Sequence, residues 1–126
     1  MLNLPPSVRI FVCVRPVDMR RSFDSLAELV RQFMCEDPLS GHLFVFRNRE
    51  ESKVKVLYWD RDGYAIWYKR LEEGTFALPN NLASGLEIDA ASLSMLLSGI
   101  NIGEIKKQKR YEIRREADGV PKVMIV

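Results

Sequence analysis

The stretch Lys53-Val54-Lys55-Val56-Leu57-Tyr58-Trp59-Asp60-Arg61-Asp62-Gly63-Tyr64-Ala65-Ile66-Trp67-Tyr68-Lys69-Arg70-Leu71 decides the fold. Two runs rich in β-branched and aromatic residues flank a polar segment that ends in glycine, the pattern of an antiparallel hairpin. Arg61-Asp62-Gly63 reads as a three-residue loop, a type I turn followed by a left-handed glycine. That loop pairs Asp60 with Tyr64, Trp59 with Ala65, Leu57 with Trp67 and Lys55 with Lys69. One face then carries Val54, Val56, Tyr58, Tyr64, Ile66 and Tyr68 and is expected to pack on a helix. The other interleaves Lys55, Leu57, Trp59, Trp67, Lys69 and Leu71. A slip of one residue would mix the two sets, because side chains alternate across a strand.

Working outward, His42–Arg47 precedes this hairpin as a strand, and Thr75–Leu78 follows it after a second glycine turn, Glu72-Glu73-Gly74. The result is a meander of about four antiparallel strands. Val8–Val14, apolar and bounded by Pro5-Pro6 and Pro16, is a further strand expected at the sheet edge. Between them Arg20–Met34 changes period. Phe23, Leu26, Ala27, Val30, Phe33 and Met34 form one helical stripe, with Ser22 as N-cap and Asp18 as the alternative. Asp24 meets the positive end of the helix dipole, and Asp37-Pro38 ends the segment. After the loop signal Pro79-Asn80-Asn81, Leu86–Ile100 is a second helix. Asp89 caps it, Leu93, Leu96, Leu97 and Ile100 form its stripe, and Gly99 stops it. The fold class is α+β, an antiparallel meander plus an N-terminal strand, with two helices packed on one face.

The chain has 126 residues, 47% of them hydrophobic and 29% charged, which describes one globular domain rather than a disordered segment. No apolar run reaches the ~18 residues of a membrane span, and Met1–Phe11 lacks a charged-then-apolar signal pattern. Cys13 and Cys35 have no partner spacing and read as reduced thiols of a cytoplasmic protein. A transporter, a secreted mini-protein, a zinc module and a multidomain enzyme are excluded. The net charge of +2 is unevenly spread: residues 1–103 hold 12 Lys/Arg against 13 Asp/Glu, residues 104–126 hold 7 against 4. Residues 1–103 are therefore read as the domain, and 104–126 as a basic tail.

Catalytic and ligand-binding motifs are missing. Asp60-x-Asp62 and Glu72-Glu73 are accounted for by turn chemistry. His42, the one histidine, has no metal-ligand partners at the required spacing, and Cys13 and Cys35 look like packing residues. No serine sits on a nucleophile elbow, and no glycine-rich phosphate or dinucleotide loop is present. The chain is read as a non-enzyme without metal or cofactor.

What remains is a surface of basic and aromatic residues. Tryptophan between lysines suits base stacking with phosphate contact on an open sheet. The plainer alternative is that Trp59 and Trp67 close a second core layer while the lysines reach past them to water. On the first view, Arg47, Arg49, Lys53, Lys55 and Lys69, with Trp59 and Trp67, contact DNA, and Arg20 and Arg21 join them unless they pair with Asp18 or Asp24.

Four blocks, taken together, carry a resemblance. They are Val17–Leu26, Asp37–Arg49, Lys55–Asp60 with Gly63 and Lys69–Gly74, and the Leu93–Ile100 helix. In this order, over roughly residues 4–101, the chain resembles the TnpB accessory proteins of the IS-sixty-six family of bacterial insertion sequences, products of the element's second open reading frame. The RNA-guided nucleases that share that name are a different family. The resemblance implies a role in DNA transposition beside a larger transposase and a second small accessory protein. It supplies no catalytic residues to carry over. Two readings follow: an accessory factor that touches element DNA, or a protein-interaction module that binds or regulates the transposase through the same aromatic face. Apolar residues on both sheet faces also predict a homodimer, through the tryptophan face or through Val123–Val126.

Overall fold

Two apolar runs, Ile10-Phe11-Val12 and Leu43-Phe44-Val45-Phe46, lie side by side in the middle of the sheet, and every one of these residues is buried. A computed structural model describes residues 4–78 and 87–99. In chain order the elements are β1 (Ile10–Val12), α1 (Phe23–Gln32), β2 (Leu43–Arg47), β3 (Lys53–Trp59), β4 (Tyr64–Arg70), β5 (Glu87–Ile88) and α2 (Ala90–Leu97). They form one five-stranded sheet in the order β4-β3-β2-β1-β5. β2, β3 and β4 are the antiparallel meander. β1 runs parallel to β2, with α1 as the crossover between them, and β5 pairs antiparallel with β1. The α+β class read from the sequence stands, with four internal differences.

The helices cover opposite faces, not one. Ile10, Val12, Leu43, Val45, Val54 and Val56 pack with Leu93, Leu96 and Leu97 of α2. Phe11, Phe44, Phe46 and Leu57 pack with Leu26, Ala27, Leu29 and Val30 of α1. The cause is in β1 and β2, which are apolar at successive positions rather than alternating, so both faces must be taken from water. Each valine, leucine, isoleucine or phenylalanine so buried contributes about 1.5–3 kcal/mol.

Thr75–Leu78 is not a strand. Its Phe76 is fully buried on the α2 side, with its N–H donated to the Glu51 carbonyl at 2.7 Å. The fifth sheet position goes to β5 instead, which puts β1 inside the sheet rather than at its edge.

The hairpin register differs by one residue. Trp59 pairs with Tyr64, Leu57 with Ile66, Val56 with Trp67 and Lys55 with Tyr68. The loop is therefore Asp60–Gly63, closed by the Asp60 N–H donating to the Gly63 carbonyl at 2.8 Å, and its left-handed residue is Arg61 (φ 60°) rather than the glycine. This pairing puts Leu57 and Ile66 together under α1, where a three-residue loop would have set the bulkier Trp67.

α1 is shorter than its periodicity. Ser22 caps it, its N–H donating to Ser25 Oγ at 3.1 Å, but the chain leaves the helix after Gln32, with Cys35 in the left-handed region (φ 55°). Phe23 and Phe33, read as core, are exposed, and Leu29 is buried in their place. α2 is shorter than the Leu86–Ile100 segment read as helical, since Glu87–Ile88 form β5 and the helix begins only after Asp89, but its cap and its stop are the expected ones. Asp89 accepts from the Ser92 N–H at 2.8 Å, and Gly99 (φ 82°) turns the chain out of the helix. Ile100 and the tail 104–126, including Val123–Val126, lie outside the described residues.

Candidate nucleic-acid interface

Lys55 is the one charged residue among those described that is buried. An ammonium group taken out of water is costly unless its donors are satisfied. Here Nζ donates to the carbonyls of Met19 and Arg21, each at 2.7 Å, and sits 4.8 Å from the centre of the Tyr68 ring. It thereby pins the segment leading into α1 against the sheet. The same segment is tied at Val17, whose N–H donates to the Arg47 carbonyl at 2.8 Å. Asp18 then folds the backbone locally: its carboxylate accepts from the Arg20 N–H at 2.8 Å and from the Arg20 guanidinium at 2.7 Å. The Arg20 side-chain bond, and then its backbone N–H, hold the Asp18 carboxyl down at about 2.

Facing this segment is the β2–β3 turn. Asn48 organises it, its Oδ1 accepting from the N–H groups of Ser52 and Lys53 at 2.9 Å while its amide donates to Ser52 Oγ and Glu50. Glu51 takes the left-handed conformation there (φ 60°). Between the two walls lies a cleft of about 500 Å³ lined by Pro16–Arg20, Asn48–Glu50, Lys53 and Tyr68. Tyr68, on β4, is 50% exposed although it lies directly opposite buried Lys55. Arg20, Arg49 and Lys53 bring three cations to the cleft against the carboxylates of Asp18 and Glu50, and Asp18 is already engaged by Arg20. Among the described residues, neither Arg49 nor Lys53 has an ion-pair partner. The site can hold an anion beside an aromatic ring.

Residues 8–107 match the family described as IS66 Orf2 like protein. The chain belongs to the IS66 Orf2-like family. Its role is therefore an accessory one in the transposition machinery of such insertion sequences, as the blocks around Asp18, His42 and Trp59 imply. Two relatives come from Sinorhizobium fredii. The uncharacterized protein y4hO is 41% identical over 101 residues, covering 80% of this chain and 88% of its own. The uncharacterized protein y4jC is 32% identical over 108 residues, covering 86% and 92%. No solved structure is significantly similar.

In this IS66 Orf2-like chain the lysine–tryptophan face expected from sequence is not assembled, because the observed register sends its members to opposite sides. Lys55 and Trp59 lie on the α1 side; Trp67 packs toward α2, and Lys69 donates from Nζ to the Leu97 carbonyl at 3.0 Å, closing the end of that helix. Trp59 meets Tyr64 edge-on at 5.1 Å. It is six residues, about 20 Å along the strand, from Lys53 and does not line the cleft. Arg47 is mostly buried, bonded to the Phe76 carbonyl at 2.7 Å and to Glu51 at 3.2 Å. Arg21 is exposed at the start of α1, and its carbonyl is one of the two that Lys55 holds. Of the nine expected residues, Arg20, Arg49 and Lys53 come together.

Tyr68 was missed as a site residue. Its signal was its place opposite Lys55, which only the correct register reveals. His42 accepts the Arg9 N–H on Nδ1, and burial pushes the Cys13 thiol up. No three His, Cys, Asp or Glu side chains cluster as a metal site among the described residues, and no described helix is long and apolar enough to cross a membrane.

Proposed function

We propose that this protein is a non-catalytic accessory factor that contacts element DNA during transposition, with the cleft between Pro16–Arg20 and Asn48–Lys53 as the contact surface. The observation that supports this reading is the convergence of Arg20, Arg49 and Lys53 around an exposed tyrosine ring. Side chains of this kind take phosphate oxygens, and the Asn48-bonded turn and the Lys55-pinned segment bring their backbones to the cleft. Fluorescence anisotropy with element-end DNA at low salt tests it. Arg49→Glu with Lys53→Glu weakens binding at least tenfold, since a phosphate that meets no cation keeps its condensed counterions and their release no longer favours binding. No binding at low salt, or binding indifferent to that double change, ends the proposal. Charge reversal at Lys55 or Lys69 is the wrong test, because both ammonium groups hold backbone carbonyls.

A second reading rests on a different feature. Val14, Phe23, Phe33 and Leu39 are large apolar residues that stay exposed, and aromatic groups of this kind anchor protein interfaces. In that reading the transposase docks there. Phe33→Ser then removes co-purification with the transposase while leaving DNA affinity alone.

A further inference from the structure

Tyr68 is held in an unusual way for a surface ring. One face receives the Lys55 ammonium, 4.8 Å from the ring centre, and that ammonium is itself locked by the Met19 and Arg21 carbonyls. Yet half of the residue is exposed, and it lines the cleft that Arg20, Arg49 and Lys53 surround. The ring thus has a fixed cation against one face while the residue keeps half of its surface exposed. We infer that this cleft takes an unpaired nucleotide: the base stacks on the open face of Tyr68, and the flanking phosphates lie on Arg49 and Lys53. The inference rests on the DNA-contact reading above and names the form of DNA.

One general consideration and two observations favour a single strand over a duplex. In a duplex the bases are stacked on one another, and a base reaches a side-chain ring only if it is first extruded, which costs a few kcal/mol. The cleft, at about 500 Å³, is an open depression with room for one small group such as a base. Its lining comes from the Pro16–Arg20 segment and the β2–β3 turn, with Lys53 of β3 and Tyr68 of β4, and no helix of the kind that enters a major groove takes part. Stacking on an aromatic ring with phosphates on nearby cations is the general chemistry of single-strand binding and tolerates any base.

The experiment compares an unstructured thymidine 15-mer with a duplex of equal length by anisotropy, using the full chain. Thymidine 15-mer binding is expected to be the tighter of the two. Tyr68→Leu, which keeps apolar bulk without a π-face, lowers single-strand affinity roughly five- to a hundred-fold and leaves duplex affinity in place. Tyr68→Trp restores it, and thermal melting of both variants confirms that each is folded. Equal affinity for the two forms, or a preference that survives Tyr68→Leu, overturns the stacking site while leaving the phosphate cleft standing. No binding to either form at low salt overturns both.

Discussion

Lys55 shows how one residue carries both structure and site. Its side chain is 8% exposed, and its ammonium satisfies two backbone carbonyls of the segment that forms one wall of the cleft. Lys55→Met keeps most of the stem but leaves the Met19 and Arg21 carbonyls without a donor. Both bonds are part-buried, so water can replace some of what is lost, and the expected loss is about 1–3 kcal/mol in urea unfolding, with the midpoint lowered and the slope unchanged. Asp18 carries a pH signature in the same segment. Its carboxyl is held down at about 2 by Arg20, below its ordinary 3.8, so its contribution is complete above the ordinary value and is lost as pH falls toward 2. Carboxyl-carbon NMR should therefore find Asp18 ionised at pH 3. None of this was legible at Lys55 itself, since nothing local distinguishes a lysine that reaches water from one that turns inward. Arg20 was legible, because its partner is two residues away.

At the level of elements, α1 and α2 are the two covers of one sheet, and their separation is testable. Leu26 and Leu93 are both fully buried, one under each helix, in different clusters. Leu26→Ala and Leu93→Ala should each cost about 2–5 kcal/mol. Because they share no packing partner, the double variant should lose the sum to within about 0.5 kcal/mol. A larger interaction energy in chemical denaturation would mean that the helices share a core. The hairpin teaches a related lesson. Both β3 and β4 were visible in sequence to within a residue, and so was the turn between them, but its length was not. Arg61 rather than Gly63 takes the left-handed conformation, and that one residue moves Trp67 and Lys69 to the far face.

For the whole molecule, charge distribution sets the expected salt response. If Arg20, Arg49 and Lys53 each neutralise one phosphate, log K against log salt has a slope between about −2 and −3. A salt titration of the full chain measures it. A markedly steeper slope means that further cations take part, and removing residues 104–126, which hold seven Lys/Arg, tells whether they are in that segment or among exposed residues such as Arg15 and Arg21. Residues 1–103 carry 12 Lys/Arg against 13 Asp/Glu, so phosphate contact there depends on where the cations lie and not on overall charge.

What the amino-acid order determined without help was much of what depends on near neighbours. This includes the runs that become β1 to β4, the three- and four-residue spacing within both helices, the caps at Ser22 and Asp89, the stop at Gly99, and the blocks that place the chain in its family, though not β5 or the irregular path of Thr75–Leu78. What only the tertiary structure decided was the hairpin register, the side of the sheet each helix takes, and which cations face water. Those depend on the summed packing of residues far apart in the chain, such as Leu57 with Leu26 or Val56 with Leu93. A pattern read a few positions at a time does not contain that sum.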